Sequence, residues 1–151
     1  MAEFDLNFPE DLFGELLDTE AEEICVEAIK EAAPILVESM QKSARAAVMH
    51  PGESDMVNSI AASTPKRTKD GSAIIATVGP RGYSDHYYHD KKSKKKRKYK
   101  VSNALKAIWK EYGIAGRQEP RPFITNATKN AEEKVMEQLQ ESYNKKAGGK
   151  K

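Results

Sequence analysis

Ala73-Ile74-Ile75-Ala76-Thr77-Val78-Gly79 decides the fold class. It is short, apolar and rich in β-branched residues, which reads as a strand. Pro80 and Gly82 close it. Upstream, Ile60–Lys66 has weaker strand character, and Arg67–Gly71 is a polar connection with a glycine at its end. Two strand-like runs joined by such a turn predict an antiparallel hairpin. Helical patterns lie on both sides of it, so the chain is expected to be α+β.

Before the hairpin, Cys25, Ile29, Ala32, Leu36, Met40, Ala44 and Val48 recur at steps of three and four. That spacing makes one apolar stripe on a long helix. Thr19 is placed to cap it, Glu22 to complete a capping box, and Glu20, Glu22 and Glu23 to complement the positive end of the helix dipole. Pro34 inside the pattern predicts a kink or a split near residues 30–34. His50-Pro51-Gly52 is expected to end the helix, and Glu53–Ile60 to form a helical turn leading into the first strand. Residues 1–18 mix acids with large apolar residues, broken by Pro9 and Gly14. They fit a mobile arm or a docking turn equally well.

After the hairpin, residues 81–100 are expected to form a solvated, mobile loop. Lys91, Lys92, Lys94, Lys95, Lys96, Arg97, Lys98 and Lys100 crowd into ten positions and repel one another. Order returns with Ala104, Leu105, Ile108, Trp109 and Tyr112, an amphipathic helix capped by Ser102 or Asn103 and stopped by Gly113. A loop over 114–122 leads to a last helix over 123–143. Its face carries Ile124, Ala127, Ala131, Val135, Leu139 and Tyr143. The expected organisation is an arm over 1–18, one domain over 19–146 and a disordered tail over 147–151.

The 151 residues hold 25 Lys plus Arg and 23 Asp plus Glu, a net charge of +2. The total conceals a division. Residues 1–60 carry 14 acids and 3 bases, and residues 61–151 carry 9 acids and 22 bases. Unlike surfaces on one subunit favour head-to-tail association, and such a contact makes a ring when it closes. No apolar run has the roughly 18–20 residues of a membrane span. The acidic start lacks the basic-then-apolar form of a signal peptide. A soluble protein made in a reducing cytoplasm is therefore expected.

Few residues suggest chemistry. His86 and His89, flanked by Asp85 and Asp90, have the donor types of a divalent-metal site, but no third or fourth ligand is indicated elsewhere, so no metal is expected. Cys25, the single cysteine, sits on an apolar stripe and reads as an inert thiol. In Gly79-Pro80-Arg81-Gly82 the proline removes a donor that a phosphate cradle needs. No cofactor and no enzymatic activity are expected. The eight bases are the candidate contact for DNA or a partner, through phosphate neutralisation without sequence reading.

The C-terminal third carries a resemblance. Ala107-Ile108-Trp109-Lys110-Glu111-Tyr112-Gly113, then Pro120-Arg121-Pro122-Phe123-Ile124-Thr125-Asn126-Ala127, resembles the head–tail joining (neck or tail-completion) family of long-tailed bacteriophages, often described as minor tail morphogenesis proteins. A Gly52 turn, the pair Ser59-Ile60 and a strand ending in Val78-Gly79 agree in order. Pro51-Gly52 stands where the family pattern has Thr-Gly, and the basic run is longer than the pattern requires. The resemblance implies a structural virion protein that forms a ring, of six or twelve copies, around the DNA channel. It implies partners among neck and tail proteins, with non-specific DNA in the channel. Within the motif, Tyr112 is expected to bury its ring against the last helix and Gly113 to take a left-handed cap. Pro122 and Phe123 should start and anchor the last helix, and Glu111 belongs to the same fold-determining element. The competing expectation is a general nucleic-acid-binding accessory protein using the same lysines.

Overall fold

The computed structural model describes residues 19–47 and 53–148. The expected arm over 1–18, the Thr19 capping box, Val48 and the His50-Pro51-Gly52 stop lie outside the residues whose side chains are described.

The fold is α+β. Helix α1 spans Thr19–Ala47, and a short helix α2 spans Ser54–Asn58. Strands β1 (Ile60–Ala62), β2 (Lys66–Arg67), β3 (Ile74–Ile75) and β4 (Val78–Pro80) follow. Then come β5 (Tyr83–His89), β6 (Lys96–Ser102), helix α3 (Asn103–Tyr112) and helix α4 (Phe123–Gly148). The strands pair antiparallel as β1 with β4, β2 with β3, and β5 with β6. The first two pairs are one interrupted hairpin, whose register slips by one residue between Ala62 opposite Val78 and Lys66 opposite Ile75. Its turn is held by Thr68 and Asp70. The Thr68 hydroxyl, then the Ser72 amide, hold the Asp70 carboxyl down to a pKa of about 2.

Helices α1 and α4 run antiparallel, because partners climb one helix as they descend the other. Ser39 Oγ donates to Ala127 O at 3.0 Å, Ser142 Oγ donates to Glu31, and Lys146 bridges Glu27 and Glu31. Small residues permit this close approach: Ala28, Ala32, Ala44, Ala127 and Ala131 are all buried between larger Leu36, Met40, Val135 and Leu139. Phe123, Met56, Val57, Ile60 and Val78 join the same core, so the β1–β4 pair sits against the helices. α1 is not split at Pro34. Pro34 and Lys30 both face water. The Lys30 carbonyl that loses its helical donor there can bond to solvent.

Two expectations about order are corrected. Residues 81–100 are not a loop: they form most of the β5–β6 hairpin, with a turn only at its tip. The last helix continues through Ala147 and Gly148, into the expected tail.

Candidate contact surface on the β5–β6 hairpin and helix α3

The hairpin sorts its residues by strand alternation. Register pairs Asp85 with Lys100, Tyr87 with Lys98 and His89 with Lys96. These six residues share one face. The intervening pairs, Ser84 with Val101, His86 with Tyr99 and Tyr88 with Arg97, share the other. Lys96, Lys98 and Lys100 therefore line up at roughly 7 Å intervals along one side. Their mutual repulsion is relieved on the spot. Asp85 accepts Lys100 at 3.0 Å and Lys98 at 3.3 Å. Lys96 Nζ lies 4.7 Å from the centre of the Tyr87 ring, a cation–π contact. The ammonium of Lys100, then that of Lys98, hold the Asp85 carboxyl below its ordinary value.

At the tip, Asp90 builds the turn. Its carboxylate accepts the Lys92 amide at 3.0 Å and the Ser93 hydroxyl at 2.9 Å, and it meets Arg97 at 3.3 Å. The Lys92 amide, then the Ser93 hydroxyl, lower its pKa. Lys91, Lys92, Lys94 and Lys95 are exposed around it. All eight candidate bases thus lie on one protruding ribbon, three on one face, Arg97 on the other and four at the tip.

The other face of the ribbon is aromatic. His86 meets Tyr99 edge-on at 5.4 Å and Trp109 at 5.5 Å, and Tyr88 meets Tyr99 at 5.5 Å. Burial, then the nearby Lys106 charge, pushes the His86 pKa below its usual value. His86 and His89 are three apart in a strand, so they face opposite ways. Among the described residues no three His, Cys, Asp or Glu side chains come together as a metal site. Burial, then the Glu22 charge, raises the Cys25 thiol.

Helix α3 seats the hairpin with polar residues. The Ser102 hydroxyl caps it by accepting the Leu105 amide at 3.1 Å. Asn103 Nδ2 donates to Arg81 O at 2.7 Å, and Ser84 Oγ donates to Asn103. Lys106 Nζ donates to Ser84 Oγ at 2.8 Å and to Asp85 O at 2.7 Å. Burial lowers the Lys106 pKa although Asp55, Glu53 and Asp85 oppose it. Lys110, 3% exposed, meets Glu53 at 2.8 Å. No buried side-chain nitrogen or oxygen among the described residues lacks a partner.

The helix is therefore turned the opposite way from the sequence expectation. Asn103, Lys106, Ala107, Lys110 and Glu111 face inward. Leu105, Ile108 and Tyr112 face water, exposed by 40%, 46% and 74%. Tyr112 does not bury its ring against the last helix, because Glu111 occupies the inward position beside it. The Glu111 carboxylate accepts the Ile124 amide at 2.8 Å and the Thr125 amide at 3.1 Å, closing the first turn of α4 from outside. Pro122 precedes that turn, its carbonyl accepting the Asn126 amide at 3.1 Å, and Phe123 is buried in the core.

Gly113 has φ 76 and ψ −179. The expected left-handed cap is corrected to a positive-φ, extended conformation that is essentially glycine's alone. A Cβ there would lie 2.6 Å from Gln118 O and 2.8 Å from Pro120 N. The chain doubles back so tightly because the loop caps α3. Arg121 N donates to Lys110 O at 2.7 Å, and Gln118 Nε2 donates to Trp109 O at 3.2 Å.

The sequence reading missed the outward Leu105–Ile108 surface and the roles of Lys106 and Asp85. One signal was available for the hairpin: Arg97, Tyr99 and Val101 alternate with Lys96, Lys98 and Lys100 opposite a tyrosine-rich run. Comparison with family models, with curated proteins and with solved structures finds no match to this chain.

Proposed function

We propose that the chain is a structural subunit of a tailed-phage virion that joins or completes the head–tail junction. Copies assemble as a ring, of six or twelve, around the DNA channel, among other neck and tail proteins. The sequence resemblance supplies the class. The observation that carries the reading further is the sorted hairpin: Lys96, Lys98 and Lys100 on one face, with the aromatic face turned toward α3. A lysine-lined ribbon hydrogen-bonded to α3 at its base can meet a polyanion without reading sequence. The outward apolar face of α3 supplies a protein-facing surface on the same subunit. The role needs no catalytic step and no cofactor.

The test replaces Lys91, Lys92, Lys94, Lys95, Lys96, Arg97, Lys98 and Lys100 with Gln. The variant keeps its helical circular dichroism, because the core lies in α1, α4 and the β1–β4 pair. Particles assembled with it fail to join tails or to retain DNA. Normal assembly and infectivity would sink the proposal. The lysine face also favours a second reading, a general nucleic-acid-binding accessory protein. A salt-dependent gel shift of free DNA by the isolated chain, with no effect on particle joining, supports that reading instead.

A further inference from the structure

We propose that the outward face of α3, with the adjoining aromatic face of the β5–β6 hairpin, is the docking surface for residues 1–18 of a neighbouring copy of this chain. The surface is built but uncovered. Leu105, Ile108 and Tyr112 form a stripe on α3 with Trp109 at its edge, while the helix buries Lys106, Lys110 and Glu111 instead. Through Trp109 and His86 the stripe continues onto Tyr99 and Tyr88, both more than 40% exposed. Contiguous apolar surface of this kind marks an interaction site.

Charge identifies the occupant. Residues 1–18 carry six acids and no Lys or Arg. Residues 83–102 carry eight bases and two acids, so the two segments have net charges of −6 and +6. The acidic segment also holds apolar anchors at intervals, among them Phe4, Phe8, Leu12, Phe13 and Leu16. The aromatic face carries Arg97, with Lys91, Lys92, Lys94 and Lys95 exposed at the tip beside it, and so is complementary to a segment that sets Phe and Leu among carboxylates.

Distance selects a neighbouring copy over the chain's own segment. Glu27 pairs with Lys146 near the start of α1, whereas α3 adjoins the other end, where Glu111 holds the first turn of α4. From Thr19 to the level of Arg45 is about 40 Å at roughly 1.5 Å per residue. Eighteen extended residues span at most about 60 Å. The chain's own segment would use about two-thirds of its length merely to arrive, leaving only its first few residues to dock. A neighbouring copy can lay the whole segment down. The contact joins unlike surfaces, so its repetition closes a ring or extends a filament. The docking is independent of the head–tail reading, since it concerns the purified chain alone.

The test places a benzophenone on Ile108→Cys in a full-length Cys25→Ala background, mixed with isotopically heavy copies at high concentration. After irradiation, mass spectrometry should find position 108 joined to a peptide from residues 1–18, with light–heavy pairs present. Adducts to other segments, no adduct, or solely same-isotope pairs would overturn the proposal. A second variant, Phe8→Ser with Leu12→Ser and Phe13→Ser, should cut the adduct yield by about tenfold or more. In the same variant, emission from Trp109, the chain's single tryptophan, should shift to the red with circular dichroism unchanged. An unchanged yield and an unchanged emission would also contradict it.

Discussion

Glu111 and Gly113 carry more of the fold than their neighbours in the same short element. Glu111 is 5% exposed, and its two oxygens take the Ile124 and Thr125 amides that no helical carbonyl can reach. Replacing it with Ala removes the acceptor of both amides, that of half-buried Ile124 and that of exposed Thr125, at the cost of a lost helix cap, about 1 kcal/mol. Urea denaturation should register that loss, and amide exchange should accelerate at Ile124 and Thr125 before the rest of α4. Unchanged protection at these two amides would show that α4 does not need the carboxylate. The sequence marks Glu111-Tyr112-Gly113 as structural but gives Glu111 no position of its own. It put Tyr112 inside, where Glu111 is. Helical period fixes which residues share a face, and both the apolar and the polar stripe of α3 obey it. Which stripe turns inward depends on partners distant in sequence: Glu53, Ser84 and the first amides of α4.

At the scale of the element, the basic run is a strand because of what lies across from it. Eight bases in ten positions repel one another as a free segment. In the hairpin four of them meet a carboxylate or a ring, Lys98 and Lys100 at Asp85, Arg97 at Asp90 and Lys96 over Tyr87, and the other face is aromatic. Composition read alone could not show that compensation. The aromatic face gives the hairpin a pH dependence. His86 has its pKa lowered by burial, so its neutral form is the one the fold prefers. The stability it contributes is present above the ordinary histidine value of 6.5 and is lost as pH falls through the depressed folded value. Lowering the pH below 6.5 should therefore loosen the hairpin from α3 as His86 takes up its proton. His86 should titrate below 6.5 by NMR, with Trp109 emission changing over the same range. A His86 midpoint at or above 6.5 would contradict the packing of His86 on Trp109.

The whole molecule was legible where patterns are long. Ala32, Leu36, Met40 and Ala44 on α1, and Ala127, Ala131, Val135 and Leu139 on α4, are the buried residues that periodicity selects. The interrupted hairpin between them is readable from Ile60 to Pro80 because its second half, Ile74 to Val78, is rich in β-branched residues and its turn is polar, although Arg67, read as part of the connection, belongs to a strand. The hairpin at 83–102 and the orientation of α3 were not, because both depend on tertiary pairing of charged groups. They are also the parts that face outward, and on them the division of charge along the chain becomes spatial. The basic half presents a ribbon with a lysine face, an aromatic face and an apolar helix beside it. Those surfaces suit the role proposed for the chain, holding unlike neighbours near a polyanion. Electron microscopy of particles formed after deletion of the gene for this chain tests the proposed head–tail role most directly. The account predicts complete capsids and complete tails that remain unjoined, restored by the wild-type chain. Joined, infectious particles lacking the chain would contradict it.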